Sequence, residues 1–97
     1  MRTVKNIDDL FVLFNENDLF RQYGLKRIGV FGSFARGEKF NDIDLFIEEE
    51  IDYSQVLKLK SLLENKTGLP VDIMQKKYAE PVILYRALKD MRYAAAS

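Results

Sequence analysis

The stretch of chain from residue 42 to residue 74 constrains the fold most, because it predicts a strand, a helix and a second strand in succession. In residues 42–47 apolar side chains alternate with two aspartates, and this period of two is typical of a half-buried strand. Residues 71–74 form another short apolar segment, which we interpret as a strand. A helical crossover between two strands normally makes them parallel and the connection right-handed. This stretch therefore predicts a parallel pair whose first residues lie side by side.

The rest of the chain adds a further strand and further helices to this unit. A strand over residues 27–31 ends at Gly32-Ser33, and the short loop that follows it favours antiparallel pairing with the strand at 42–47. Residues 94–97 are interpreted as a frayed end. The sequence predicts one domain, residues 1–97, of the α/β (α+β) class with a small mixed three-stranded sheet and about four helices. Those helices are expected over residues 7 to 14 after a cap at Asn6, 18 to 23, from a cap at Asp52 or Ser54 to Gly68, and 81 to 91, the last with Leu84, Tyr85, Leu88 and Met91 on its apolar face.

Two residue types are absent from the sequence, and their absence limits the chemistry. The chain has no cysteine and no histidine. It therefore has no disulfide, no thiolate zinc site, no cysteine nucleophile and no histidine base. Catalysis would have to use carboxylates, hydroxyls, lysines and arginines, and such oxygen ligands suit Mg²⁺ or Mn²⁺ better than zinc or iron.

The charge is balanced overall but unevenly distributed. The 15 basic and 15 acidic residues give a net charge of zero, which argues against a general nucleic-acid binder. Residues 26–52 hold four basic and seven acidic side chains, whereas residues 53–97 hold eight basic and four acidic ones. An acidic centre could hold a cation, and a basic C-terminal half could face an anionic ligand or partner. No apolar run has signal-peptide or membrane-span length, so we expect a cytoplasmic protein that does not enter a membrane.

Three aspartates are predicted to meet at one edge of the sheet. Asp42 and Asp44 are two positions apart in one strand, so their side chains point the same way with Cα atoms about 6.5 Å apart. Asp72 lies at the start of the parallel neighbour, and Gly32-Ser33 ends the antiparallel one. Carboxylates placed in this way can bridge divalent ions, and a Gly-Ser turn allows close approach of a phosphate. Each feature alone equally fits solvated acids or a plain turn.

Three blocks of the sequence resemble, in order, the signature of the minimal nucleotidyltransferases, a group within the DNA polymerase β-like superfamily: residues 32–38 (GSFARGE), 41–45 (NDIDL) and 71–73 (VDI). The resemblance covers nearly the whole chain. The loop between the first two blocks is about two residues shorter than in the usual family pattern, and Asn41 stands where serine is common.

The resemblance implies a mixed-sheet fold and transfer of a nucleoside monophosphate, as AMP from ATP. It implies that Asp42, Asp44 and Asp72 are catalytic and hold two Mg²⁺ ions, with Asp72 also activating the attacking hydroxyl. The turn of Gly32 and Ser33 would hold the nucleotide phosphates. Arg36 and Lys39, on the same loop, are predicted to be nucleotide-binding as well, with solvated loop side chains as the alternative.

The resemblance also implies a protein acceptor. Minimal nucleotidyltransferases are commonly paired with a HEPN-domain protein in toxin–antitoxin modules, and some adenylylate that partner on a tyrosine, so the chain would be an antitoxin. Two alternatives stay open: an antitoxin of the same fold that binds its partner without catalysis, and an enzyme that modifies a small molecule such as an aminoglycoside. A homodimer is a further possibility.

The basic C-terminal half carries aromatic and arginine side chains of the kind that protein interfaces favour. We expect part of this set to form a partner surface, with Tyr85 alternatively in the core under the last helix. The residues are Tyr78, Tyr85, Arg86, Arg92 and Tyr93.

Overall fold

The computed structural model of the chain describes residues 3–96. In chain order its elements are α1 (Ile7–Glu16), α2 (Leu19–Gln22), β1 (Arg27–Phe31), α3 (Gly32–Ala35), β2 (Ile43–Ile47), α4 (Tyr53–Thr67), β3 (Val71–Gln75), a short 3₁₀ turn (Lys76–Tyr78), α5 (Pro81–Asp90) and β4 (Arg92–Ala95).

The strands form one mixed sheet in the order β3-β2-β1-β4. β2 is parallel to β3 and antiparallel to β1, as the sequence predicted. The predicted count of three strands was wrong, because Arg92–Ala95 pair antiparallel with β1 as a fourth strand. Of the frayed end expected over residues 94–97, Ala94 and Ala95 belong to this strand and Ser97 lies outside the described residues. Alanine is depleted in strands, so the local sequence carries little signal for β4. Its pairing follows from the free edge that β1 offers.

The hydrophobic core lies on one face of the sheet. Alternate residues of the strands point towards this face, where α1, α2 and α4 cover them. The Asn6 side chain caps α1 by accepting a hydrogen bond of 2.9 Å from the Asp9 N–H. The fully or almost fully buried core side chains include Leu10, Phe14, Leu19, Ile28, Val30, Ile43, Leu45, Ile47, Leu59, Leu63 and Val71.

Helix α4 provides the crossover between the two parallel strands. It follows Asp52, whose side chain makes no capping hydrogen bond, and it ends as predicted at Gly68, which has a φ of +73°. Its terminal Gly68 N–H donates to the Glu64 carbonyl, and the Glu64 carboxylate accepts a hydrogen bond from the Val71 N–H. The end of the crossover is thus tied to the first residue of β3.

Helix α5 differs most from the expectation. It ends at Asp90, so Met91 lies beyond it in extended conformation. Of its side chains only Ala87 is buried, whereas Tyr85 and Leu88 of the predicted apolar face are exposed. Helical spacing predicts an apolar stripe on this segment, but it does not tell which side of the helix packs against the rest of the chain.

The second face of the sheet is held together around Gly29. This residue lies opposite both Phe46 of β2 and Tyr93 of β4. A Cβ atom at position 29 would lie 2.5 Å from Met91 Sδ and 3.2 Å from atoms of the other two side chains. The Arg27 guanidinium stacks 3.7 Å from the centre of the Tyr93 ring. Glycine therefore allows the segment after α5 to pack closely on β1.

Within residues 3–96 no helix combines the length and the apolar character that crossing a bilayer requires.

The packing at Gly29 yields a first prediction. Gly29→Ala should lower the free energy of unfolding by about 1–3 kcal/mol, because the added methyl group overpacks a filled site. Chemical denaturation measures this change.

The double variant Gly29→Ala/Met91→Ala is the informative comparison. Removal of the Met91 side chain makes room for the methyl group, so the double variant should be less destabilised than the sum of the two single variants. Strict additivity would show that Met91 does not set the requirement for glycine.

Candidate active site

Three aspartates come together at the end of the sheet where β2 and β3 begin. Asp44 lies directly opposite Asp72 in the parallel register. The strand predicted over residues 42–47 begins one residue later, at Ile43, so Asp42 immediately precedes β2. Its side chain still belongs to the group of three carboxylates. One carboxylate oxygen from each residue lies within 4.8 Å of the other two. The predicted convergence of the three acids is therefore found in the structure.

The three carboxylates differ in exposure. Asp42 and Asp44 are half-buried, and Asp72 is exposed. None of them forms an ion pair within the part of the chain that the structure describes. Three negative charges this close together repel one another, and a divalent cation would remove that repulsion.

Asp44 shows the repulsion most clearly. Partial burial, together with the negative charges of Asp42 and Asp72, raises the pKa of its carboxyl from 3.8 to about 6. Both causes disfavour the ionised form in the metal-free protein. A bound dication would have the opposite effect and lower this pKa.

Gly32 links the aspartates to the end of β1. The chain enters α3 at this residue, and the predicted loop over residues 33–41 thus begins with a helical turn instead. Gly32 has a φ of +77°, and a Cβ atom there would lie 2.5 Å from Asp44 Oδ2. Only glycine combines this backbone conformation with this close approach. Ser33 follows it, half-buried in the first turn of α3.

A cavity of about 270 Å³ opens beside Gly32, between α3 and α5. Arg36 closes one side of it, donating to Glu38 at 3.0 Å and to Asp90 at 2.7 Å. Lys39 is exposed on the loop before β2 and forms no ion pair with any residue from 3 to 96. The structure thus brings Gly32 against Asp44 and places Arg36 with Gly32 on the cavity wall, with Ser33 following Gly32 in the same helical turn.

Sequence analysis missed the contribution of α5. Phe31 and Gly32 line the cavity together with Ile83, Arg86, Ala87 and Asp90 of that helix. Four residues with a spacing of three and four form one helix face, and this pattern was visible in the sequence. It could not be assigned to the site, because the position of α5 over the end of β1 is a tertiary contact.

Comparison with known proteins agrees with this geometry. Residues 17–93 match the family described as polymerase beta, nucleotidyltransferase. The chain belongs to this family. It is therefore a nucleotidyltransferase, and the family likeness extends over all three aspartates, the Gly-Ser turn and α5.

Within the family, this chain is similar to two proteins that are named as protein adenylyltransferases. Protein adenylyltransferase MntA of Thermococcus cleftensis is 31% identical, over 96% of this chain and 97% of that protein. A candidate protein adenylyltransferase of Methanocaldococcus jannaschii is 35% identical, over 78% of this chain and 92% of that protein. The identification as a minimal nucleotidyltransferase is confirmed.

Solved structures confirm the mixed α/β fold. A crystal structure of a toxin–antitoxin with AMP-PNP superposes with a TM-score of 0.69 at 21% identity, covering 86% of this chain and 72% of the other. The toxin–antitoxin MntA-HpeT gives a TM-score of 0.67, also at 21% identity, over 86% and 73% of the two chains. At this level of identity the likeness concerns the fold.

The raised pKa of Asp44 yields a second prediction. In the folded protein this carboxyl holds its proton up to about pH 6, but in the unfolded chain only to about 3.8. Stability of the metal-free protein should therefore decrease as the pH rises through this window. Asp44→Asn should raise the metal-free Tm at pH 7.5 and should abolish the increase in Tm that Mg²⁺ produces. Thermal unfolding with and without Mg²⁺ measures both effects.

Asp52→Asn is the matched control, because it removes an exposed carboxylate that caps no helix and lies outside the triad. It should retain the response of the parent protein to Mg²⁺. For the parent chain the response should be weaker at pH 5 than at pH 7.5, since a proton then competes for Asp44. An unchanged Mg²⁺ response in Asp44→Asn would disprove the metal site.

Proposed function

We propose that this chain transfers AMP from ATP to a hydroxyl group of a partner protein, a HEPN-domain toxin, and thereby acts as its antitoxin. The observation that carries the proposal is the cluster of three unpaired carboxylates beside Gly32. The nucleotidyltransferase family and the relatives named protein adenylyltransferase support the reaction type. The toxin–antitoxin structures with the same fold support the kind of partner. The HEPN domain and a cytoplasmic site of action are predictions from the sequence.

The donor set fits a divalent cation. Asp42, Asp44 and Asp72 offer carboxylate oxygens, which Mg²⁺ prefers. Burial and the charges of the other two acids raise the pKa of Asp44, and a dication would offset both costs. We propose that the three residues hold two Mg²⁺ ions. When bound, such a pair stabilises charge on the attacking and leaving oxygens.

The reaction is an in-line displacement at phosphorus. The acceptor hydroxyl oxygen forms a bond to the α-phosphorus of ATP, the bond from that phosphorus to the bridging oxygen breaks, and pyrophosphate leaves. Asp72 accepts the proton of the hydroxyl group. Its exposure, in contrast to the half-buried Asp42 and Asp44, suits a residue that meets the incoming acceptor.

The first turn of α3 and the adjacent cavity would hold the nucleotide. The N–H groups of a first helical turn have no partner within the helix, and this turn begins at Gly32, which lies against Asp44. Arg36 lies on the cavity wall, where its charge can pair with a phosphate. Lys39, exposed on the loop before β2, is proposed as a second phosphate ligand because its long side chain can extend towards the nucleotide.

A third prediction concerns catalysis. Asp72→Asn should lower AMP transfer by about 10²–10⁴-fold, the range that general-base catalysis supplies, while ATP affinity changes little. The assay follows label from [α-³²P]ATP into protein in an extract of the host cell with Mg²⁺, and mass spectrometry identifies the labelled acceptor and its modified residue. Calorimetry gives the affinity for Mg²⁺-ATP.

Asp42→Asn is the companion variant, and it should lose Mg²⁺-dependent ATP binding as well as transfer. If Asp72→Asn weakened ATP binding to the same degree, the proposed division of roles would be wrong. Label appearing only in a small molecule would favour the aminoglycoside-type alternative. Partner binding without any label would favour the non-catalytic antitoxin, and a labelled acceptor without a HEPN domain would contradict the proposed partner.

A fourth prediction tests the phosphate contact of Arg36. Arg36→Ala should weaken ATP binding by about tenfold or more, since charge-assisted hydrogen bonds contribute roughly 1.5–3 kcal/mol. Isothermal titration with ATP and Mg²⁺ measures the change.

Asp90→Asn separates this role from the ion pair seen in the structure. That variant removes the partner at 2.7 Å but keeps the guanidinium, so ATP affinity should be unchanged or higher. Equal loss of affinity in both variants would mean that Arg36 acts by holding α5 in place and not by binding phosphate.

A further inference from the structure

Exposed apolar side chains are concentrated in one short part of the chain. Of the eight large apolar residues that are exposed within residues 3–96, five lie between residues 78 and 88. Tyr78 and Tyr85 are 72% and 65% exposed, and Val82 is 62% exposed. Such a concentration on a chain of this size is typical of an interaction site and not of single solvated side chains.

Helix α5 presents two different faces. Ile83, Arg86, Ala87 and Asp90 line the cavity beside Gly32 and form the inner face. Tyr85 lies on the opposite side of the helix, and Val82 lies between the two sides without lining the cavity; Tyr78 is in the preceding 3₁₀ turn. We call Tyr78, Val82 and Tyr85 the outer α5 surface. A helix with its side chains is about 10–12 Å across, so a protein on this surface lies within one helix diameter of the cavity.

The outer α5 surface is bordered by positive charge. The ammonium group of Lys89 lies 4.8 Å from the centre of the Tyr85 ring, and that of Lys77 lies 5.7 Å from the Tyr78 ring. Residues 76–92 contain five basic and two acidic side chains. Asp90 is paired with Arg36 and Lys77 with Glu50, so Lys89 is the border lysine that forms no ion pair within residues 3–96. The border therefore favours a ligand that carries negative charge around apolar groups.

We propose that the outer α5 surface is the docking site for the acceptor protein of the transfer reaction, and that this protein meets it with an apolar patch bordered by Asp and Glu side chains. The inference rests on the proposed function and adds where the acceptor binds. Two observations carry it together: the wall of the cavity and the apolar surface belong to the same helix, and the charge of the border selects the partner.

The same charge argues against a second copy of this chain on this surface. A twofold dimer would place the surface against itself and so bring two copies of the same basic border into one interface. Like charges in such an arrangement oppose association. An acidic acceptor meets no such repulsion.

The test compares variants in steady-state transfer of AMP to the acceptor identified by radiolabelling. Val82→Ser/Tyr85→Ala should raise the KM for the acceptor by about tenfold or more and leave kcat nearly unchanged, because hot-spot aromatic residues contribute to binding and not to the chemical step. Lys89→Glu should raise the same KM, because it reverses one charge of the border. The affinity for Mg²⁺-ATP, measured by calorimetry, should remain that of the parent chain in all these variants, which also shows that they are folded.

The matched control is Tyr53→Ala/Leu57→Ser on α4, which removes an exposed tyrosine and an exposed aliphatic residue away from α5. It should leave the KM unchanged. An equal KM in the outer-surface and control variants, with label still transferred, would overturn the docking site but not the proposed function. An unchanged KM in Lys89→Glu would overturn the acidic partner. Absence of any labelled protein with the parent chain would overturn both proposals, and a dimer that Val82→Ser/Tyr85→Ala converts to monomer would assign the surface to a second copy.

Discussion

The parallel pairing of β2 with β3 places Asp44 directly opposite Asp72. The rest of the structure has to hold these two carboxylates together against their electrostatic repulsion. Two carboxylates side by side, with Asp42 next to them, would not remain together without a rigid support. The support is the buried opposite face of the same strands, where Ile43, Leu45 and Val71 pack under α1, α2 and α4. Burial of apolar surface on one face thus holds repelling charges on the other.

Close packing around two glycines completes the support. Gly32 allows the end of β1 to touch the Asp44 carboxylate, and Gly29 allows Met91 and β4 to lie against the same strand. Since α5 and β4 follow one another in the chain, the packing at Gly29 also determines where α5 can sit. The cavity wall that α5 provides is therefore coupled through β1 to the three aspartates, although none of the three belongs to α5.

The two sides of α5 differ in what they contact: one lines the cavity, and the other is exposed. Its inner face carries Asp90, which forms an ion pair with Arg36 beside the cavity, and its outer surface is apolar with a basic border. The helix buries only Ala87 in its own domain, so it gains little stability from the chain itself. A partner that covers the outer face would add the burial that the isolated chain lacks, and would couple acceptor binding to the geometry of the nucleotide site.

The sequence by itself determined the elements whose pattern is local and whose connection leaves little choice. Alternation over residues 42–47, the crossover helix and the short loop after Gly32-Ser33 were enough to predict the mixed sheet and the meeting of three aspartates, because strand direction follows from connection type. Only the tertiary structure decided that residues 92–95 form β4, that Tyr85 is exposed and that α5 forms the cavity wall. These outcomes depend on which surface a weakly patterned segment finds free, and the edge of β1 and the uncovered side of α5 exist only once the sheet has formed.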